Sequence, residues 1–224
     1  MMINIKEIEY KTFGRCLKVD NGKIEYIISL DFGPRILSFS FIGNENVLFE
    51  DVEGLIKEDG DYFKEQYGNS VFWKLYGGHR FWVSPQTMES YYPDNNPVKY
   101  QIDEAIVRVF QPKQIETNIQ LELEIKFVSD YTLQIKHKLT NKGFTSRMCA
   151  PWAITALRIG GIELVPLPQE ETGLLPQRVI SRWNYGSSHK DTREFFGENY
   201  YALTSDNINT HPYKLGLKVS DGFA

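Results

Sequence analysis

Between residues 76 and 98 the chain gathers groups able to do chemistry. It runs Tyr76-Gly77-Gly78-His79-Arg80-Phe81-Trp82-Val83-Ser84-Pro85-Gln86, then Tyr91-Tyr92-Pro93-Asp94-Asn95-Asn96-Pro97-Val98. An imidazole, a guanidinium, an amide and a carboxylate sit there among aromatic rings, behind a glycine pair. A sugar needs such a set: its apolar C–H faces lie on rings, while its hydroxyls take fixed donors and acceptors. A loop this rich in rings and polar forks is costly to expose without a ligand. The residues predict one pocket where His79, Arg80, Gln86, Tyr92 and Asp94 meet, with Trp82 or Trp152 as the stacking platform. The competing reading is a loop folded over a sheet edge, with Trp82 and Tyr92 filling the core and Arg80 paired to Asp94.

Other residues carry less. Arg35 follows the Gly33-Pro34 break and begins a strand, where it either reaches a ligand or lies on the surface. No phosphate cluster stands beside His79, although Arg35, Arg80 and Arg178 are available to form one. His137 falls on the apolar side of a long strand and reads as a core histidine, while His189 and His211 read as surface residues. Trp152 either stacks on a ligand or fills the core, and Glu163 reads as a solvent-facing strand residue. The four histidines are too scattered for ligand spacing, so no metal site is expected. Phosphate loops, dinucleotide fingerprints, His-Glu-x-x-His and nucleophile elbows are all absent from the sequence.

The elements that must position these groups are strands. From 119 to 127 the odd positions are Ile, Leu, Leu, Ile and Phe, and the even ones Gln120, Glu122, Glu124 and Lys126. That period of two marks a strand with one buried face. After Ser129-Asp130 the pattern resumes over 131–139, so a hairpin is expected. Asn21-Gly22 tolerates the positive φ of a tight turn and separates strands at 15–19 and 23–30. Further strands are expected at 35–42, 47–49, 105–110, 148–157, 162–165, 179–183, 200–204 and 214–219. Helical spacing is confined to 51–67, where Gly54 and Gly60 weaken it. The expectation is an all-β fold: one large antiparallel β-sandwich domain over 1–224, incomplete at its C-terminal end, where a strand-like segment stops short.

Composition sets outer bounds. With 224 residues, a net charge of −4 and no Lys/Arg-rich tract, the chain is a poor partner for nucleic acid. No apolar run approaches the roughly 20 residues that span a bilayer, so no membrane partner is expected. Two cysteines form no Cys-x-x-Cys pair, and the N-terminus lacks the pattern of a signal peptide, which points to a cytoplasmic setting.

Several segments together resemble the galactose mutarotase-like superfamily: Asp31-Phe32-Gly33-Pro34-Arg35-Ile36, Gly-Gly-His-Arg-x-Trp at 77–82, Tyr-Tyr-Pro-Asp-Asn at 91–95, and the stretches 132–143 and 150–168. The closest likeness is to an uncharacterised bacterial branch. The resemblance implies a large twisted β-sandwich with a sugar-binding concave face, and a small-molecule carbohydrate as partner. In epimerases of this superfamily one acid protonates the ring oxygen and one base takes the anomeric proton, without a cofactor. It implies that Arg80 is the arginine that holds the sugar. The family's acid lies in an Asn-His-x-Tyr-Phe type motif, where this chain reads Cys149-Ala150-Pro151-Trp152-Ala153-Ile154, without a histidine. His79 is the candidate replacement, and the base has no assignable position. The expected function is aldose 1-epimerase-like interconversion of sugar anomers, with His79 and Arg80 catalytic. Arg35, Trp82, Gln86, Tyr92, Asp94, Trp152 and Arg178 are expected to bind the sugar. The alternatives are a carbohydrate-binding module without turnover and a purely structural domain.

Overall fold

A computed structural model describes residues 3–68, 71–87, 89–91, 93–183, 191–206 and 214–219. Tyr92, His189 and His211 lie outside these described residues. The fold is all-β, with one short helix among the described residues. By its contacts it divides into two compact units, Met1–Arg158 and Ile159–Ala224, and the single domain expected over 1–224 spans both.

The first unit begins with β1 (Asn4–Glu9), β2 (Arg15–Asp20), β3 (Ile24–Ser29), β4 (Arg35–Phe41) and β5 (Lys57–Glu58). Helix α1 (Asp61–Tyr67), β6 (Trp73–Lys74), β7 (His79–Ser84), β8 (Lys99–Asp103) and β9 (Ile106–Phe110) follow. The unit ends with β10 (Ile119–Ser129), β11 (Thr132–Asn141) and β12 (Ala150–Thr155). One sheet has the order β1-β2-β3-β4-β7-β12 and a second the order β11-β10-β9-β8, while β5 and β6 form a separate ribbon. The pairs that hold these sheets together are antiparallel.

The long hairpin forms as its alternation requires. Ile119, Leu121, Leu123 and Ile125 are buried while Gln120, Glu122 and Glu124 are not. The two sheets share one apolar core, to which the first gives Leu17, Tyr26, Ile28, Ile36 and Phe81 and the second Val107, Val109, Leu121, Leu123 and Ile125. Each such side chain contributes about 1.5–3 kcal/mol on burial. A second apolar cluster, Phe13, Cys16, Ile27, Phe32 and Leu37, also belongs to the first sheet and its loops.

Two local expectations change. The helix occupies only Asp61–Tyr67, because its N-cap is Gly60, and Asp51 instead accepts the backbone N–H groups of Leu55 and Ile56 in a turn. The stretch 79–84, read as loop, is strand β7 inside the six-stranded sheet. Its residues Arg80, Phe81, Trp82 and Val83 are all buried. A strand covered on both faces has no reason to alternate in polarity, so period two does not reveal it.

The second unit holds β13 (Ile162–Pro166), β14 (Ile180–Arg182), β15 (Glu194–Phe196), β16 (Tyr200–Thr204) and β17 (Leu215–Leu217). Its sheet order is β13-β16-β15, with β14 and β17 paired separately. Val165, Leu167 and Tyr201 form its core. Glu163 is exposed, as its strand reading implies.

Candidate functional site

The glycine pair ahead of β7 serves neighbouring backbone. Gly77 and Gly78 have φ of 91° and 72°, the left-handed region that glycine enters without strain. A Cβ on Gly77 would lie 2.1 Å from the Phe49 carbonyl oxygen, and one on Gly78 2.1 Å from that of Ile36. The N–H of Gly78 donates to Phe49 at 2.7 Å. Both glycines thus let β7 dock against chain that precedes it.

Arg35 locks this turn from below. It is 1% exposed, and its Nη1 donates to the carbonyls of Leu75 (2.9 Å) and Gly77 (2.6 Å) while Nη2 donates to Asp94 Oδ2 at 2.7 Å. Arg35 also stands directly opposite Arg80 across the β4–β7 pair. Like charges facing each other across a ladder repel, and Asp94 sits between them, with Arg80 Nη2 3.5 Å from Asp94 Oδ1. Burial pushes the Asp94 carboxyl up, but Arg35 and then Arg80 outweigh it and hold it below the usual carboxylate range. Burial drives the Arg80 guanidinium down to about 9, Asp94 opposing the fall and Arg35 adding to it. Arg80 therefore stays charged at neutral pH, supported by the Trp82 ring 3.2 Å from its guanidinium carbon.

Two cations and one carboxylate leave this buried cluster with one positive charge in excess. A polar cavity of about 10 Å³, room for one water-sized group, borders Arg80, Trp82, Asp94 and Gln111. Arg80 Nε, Trp82 Nε1, Asp94 Oδ1 and Gln111 Nε2 have no hydrogen-bond partner among the described residues. The cavity is far too small for a sugar, since small-ligand sites enclose roughly 300–1,000 Å³.

His79 belongs to a different contact set, reached by alternation along β7. Its Nε2 lies 2.8 Å from His137 Nε2 and its Nδ1 2.8 Å from Thr155 Oγ1. Two imidazole nitrogens at that distance need one N–H facing one lone pair, so the rings cannot both be charged. Burial, then His137 and Arg35, drive His79 down to about 4, and burial lowers His137 as well. Both rings are neutral at pH 7. His137 is half-buried rather than a core residue, held by His79 and packed edge-on against Phe81.

The open site lies where Gln86 emerges after β7. A groove of about 530 Å³ is lined by Glu58, Tyr62, Phe63, Gln86, Thr87 and Tyr91. Tyr62 is 65% exposed and Gln86 is also exposed, whereas Phe63 is buried beneath the helix. The Tyr91 ring is 5.5 Å from Trp82 and 5.8 Å from Trp73, centroid to centroid, so the groove floor rests on the aromatic layer that also carries Arg80. Ser90 fixes the loop: its Oγ accepts the Thr87 N–H at 2.7 Å, and the Tyr91 N–H donates to the Thr87 carbonyl at 2.9 Å.

The expected pocket is thus distributed. Arg35, Arg80, Asp94 and Trp82 come together, buried. Trp152 pairs with Trp82 across β7 and β12 and is half-buried against the core. Gln86 lines the groove, His79 does not line it, and Arg178 lies in the second unit with Nε directed at the Pro168 carbonyl (3.5 Å). Tyr62, Phe63, Glu58 and Thr87 escape the sequence reading. The i, i+4 spacing of Phe63 and Tyr67 is the one signal for the helix that presents Tyr62. Among the described residues no three His, Cys, Asp or Glu side chains gather as a metal would require, and no helix is long and apolar enough to cross a membrane. In comparisons with known proteins, no family model, no curated protein and no solved structure matches the chain.

Proposed function

We propose that the protein is a carbohydrate-binding β-sandwich of the galactose mutarotase-like kind, which holds a sugar in the Gln86–Tyr91 groove without turning it over. The observation that carries this reading is the groove itself. Tyr62 and Tyr91 offer ring faces for C–H stacking above the buried Phe63, while Gln86, Thr87 and Glu58 offer donors and acceptors for hydroxyls. Its volume of about 530 Å³ lies within the range of small-ligand sites. The family resemblance of the flanking motifs supports the same ligand class. A cytoplasmic setting belongs to the proposal too, supported by Cys16 and Cys149, which are both unpaired thiols.

Anomer exchange asks for an acid and a base on either side of C1, each with a pKa near working pH. The groove's described lining supplies one carboxylate, Glu58, and no imidazole. His79, neutral down to about pH 4, is a poor proton donor at neutral pH and is engaged by His137 and Thr155. Binding is therefore preferred to turnover.

Titration of the full chain with neutral monosaccharides, read by tryptophan fluorescence, tests the proposal, because Trp82 and Trp73 pack against Tyr91. A saturable change is expected with at least one sugar. Polarimetry of freshly dissolved α-aldoses should show the buffer rate with or without protein, and an accelerated rate would replace the binding reading with the enzymatic one.

A further inference from the structure

A second groove, beyond the C-terminal end of helix α1, has a different chemistry. It encloses about 440 Å³ and shares no described lining residue with the Gln86 groove. Half of its described lining is apolar: Val71, Phe72, Pro93 and Ile115, the last 77% exposed. Tyr67, Asn95, Asn96 and Glu116 supply the rest.

The polar groups there are unequal. Asn95 is spent internally, its Oδ1 accepting the Tyr76 hydroxyl and its Nδ2 donating to the Phe72 carbonyl. Burial first, and then the Glu116 charge, push the Tyr67 phenol up, so that ring stays neutral. Glu116 is the exception: it is the one carboxylate of the described lining, and its Oε2 has no hydrogen-bond partner among the described residues. Among the described residues no lysine or arginine lines the groove, and Lys74, which covers the Phe72 ring, is not part of the lining.

We propose that this groove binds an organic ammonium ion, a cationic amine carried on an apolar or aromatic body. The ammonium pairs with the Glu116 carboxylate, which lines the groove, and the body lies along Val71, Phe72, Pro93 and Ile115. A charge-assisted hydrogen bond of this type is about twice as strong as a neutral one. A polyol is a poor fit, since its several hydroxyls would face apolar side chains without partners. An anion is worse, since Glu116 would repel it. The proposal does not depend on the sugar reading of the other groove.

Benzylammonium is a suitable probe and benzyl alcohol its neutral counterpart, both titrated into the full chain by calorimetry or by chemical-shift change. Benzylammonium should bind saturably, with benzyl alcohol at least tenfold weaker. Glu116→Gln should weaken benzylammonium at least tenfold and leave the melting temperature unchanged or raised, because it removes a partnerless charge. Ile115→Lys, at an exposed position, should place an internal ammonium beside Glu116 and abolish probe binding, which gives the same test if Glu116→Gln fails to fold. Gln86→Ala should leave probe binding unchanged. Equal binding of the alcohol, no binding of benzylammonium, or full binding by the folded Ile115→Lys variant would overturn the proposal.

Discussion

The Arg35–Asp94–Arg80 cluster and the Gln86 groove both draw on the stretch 80–94 and rest on one aromatic layer, yet they use their polar groups in opposite ways. In the cluster, Arg35 gives three hydrogen bonds to two carbonyls and a carboxylate, and Arg80 stacks on Trp82. In the groove, Gln86 and Tyr62 remain open to solvent. Tyr91 touches both regions, its ring packed on Trp82 and its side chain lining the groove. A dense set of rings and polar forks in sequence therefore does not identify which members meet a ligand. Density marks where the chain spends polar groups, and only packing separates those spent on the fold from those left for a partner.

The strongest way to break this comparison is to remove the counter-ion. Asp94→Ala leaves two buried guanidinium groups facing each other and should cost about 3–5 kcal/mol of stability in urea unfolding. A loss under about 1 kcal/mol would mean that the cluster does not hold the fold.

The pH dependence of stability tests the half-buried histidine pair. Unfolded histidine takes up a proton below about pH 6.5, whereas folded His79 resists until about pH 4. The contribution of His79 is thus complete above 6.5 and lost as pH falls toward 4, amounting to about 3 kcal/mol for a shift of this size. His137, lowered by burial, adds a loss of the same sign. Asp94, held below the usual carboxylate range, weakens the fold only at still lower pH. Unfolding free energies measured between pH 7 and pH 4 should fall in the wild type and much less in His79→Gln, and a flat wild-type profile would contradict the neutral pair.

Smaller effects sharpen the contrast. Gln86→Ala should reduce sugar affinity about tenfold, roughly 1.4 kcal/mol, and shift stability by less than about 0.5 kcal/mol. Arg80→Met keeps volume against Trp82 while removing the surplus buried charge. It should change stability by no more than about 1 kcal/mol in either direction, and a loss comparable to that of Asp94→Ala would make Arg80 the keystone instead.

Strands with one wet face are legible in this sequence. The β10–β11 hairpin follows from period two, while the Asn21-Gly22 turn and the strand after the Gly33-Pro34 break, itself buried on both faces, follow from turn chemistry. Strand β7 is not legible, because burial on both faces removes the alternation, and its polar residues then imitate a binding loop. Arg35 and Asp94 are far apart in sequence, and only the fold reveals that they pair. Gln86 was accessible to sequence reasoning because it follows the stretch 79–84 beside Pro85. Tyr62 and Glu58 were not, since the segment that carries them has neither a clean helical stripe nor alternation.

The most direct measurement is saturation-transfer difference NMR of the full chain with neutral monosaccharides, comparing wild type with the Tyr62→Ala/Gln86→Ala variant. The account predicts transfer to the ring C–H protons of at least one sugar in the wild type. It predicts loss of that transfer in the variant, with the unfolding midpoint unchanged. Transfer that persists in the variant, or none for any sugar in the wild type, would contradict it.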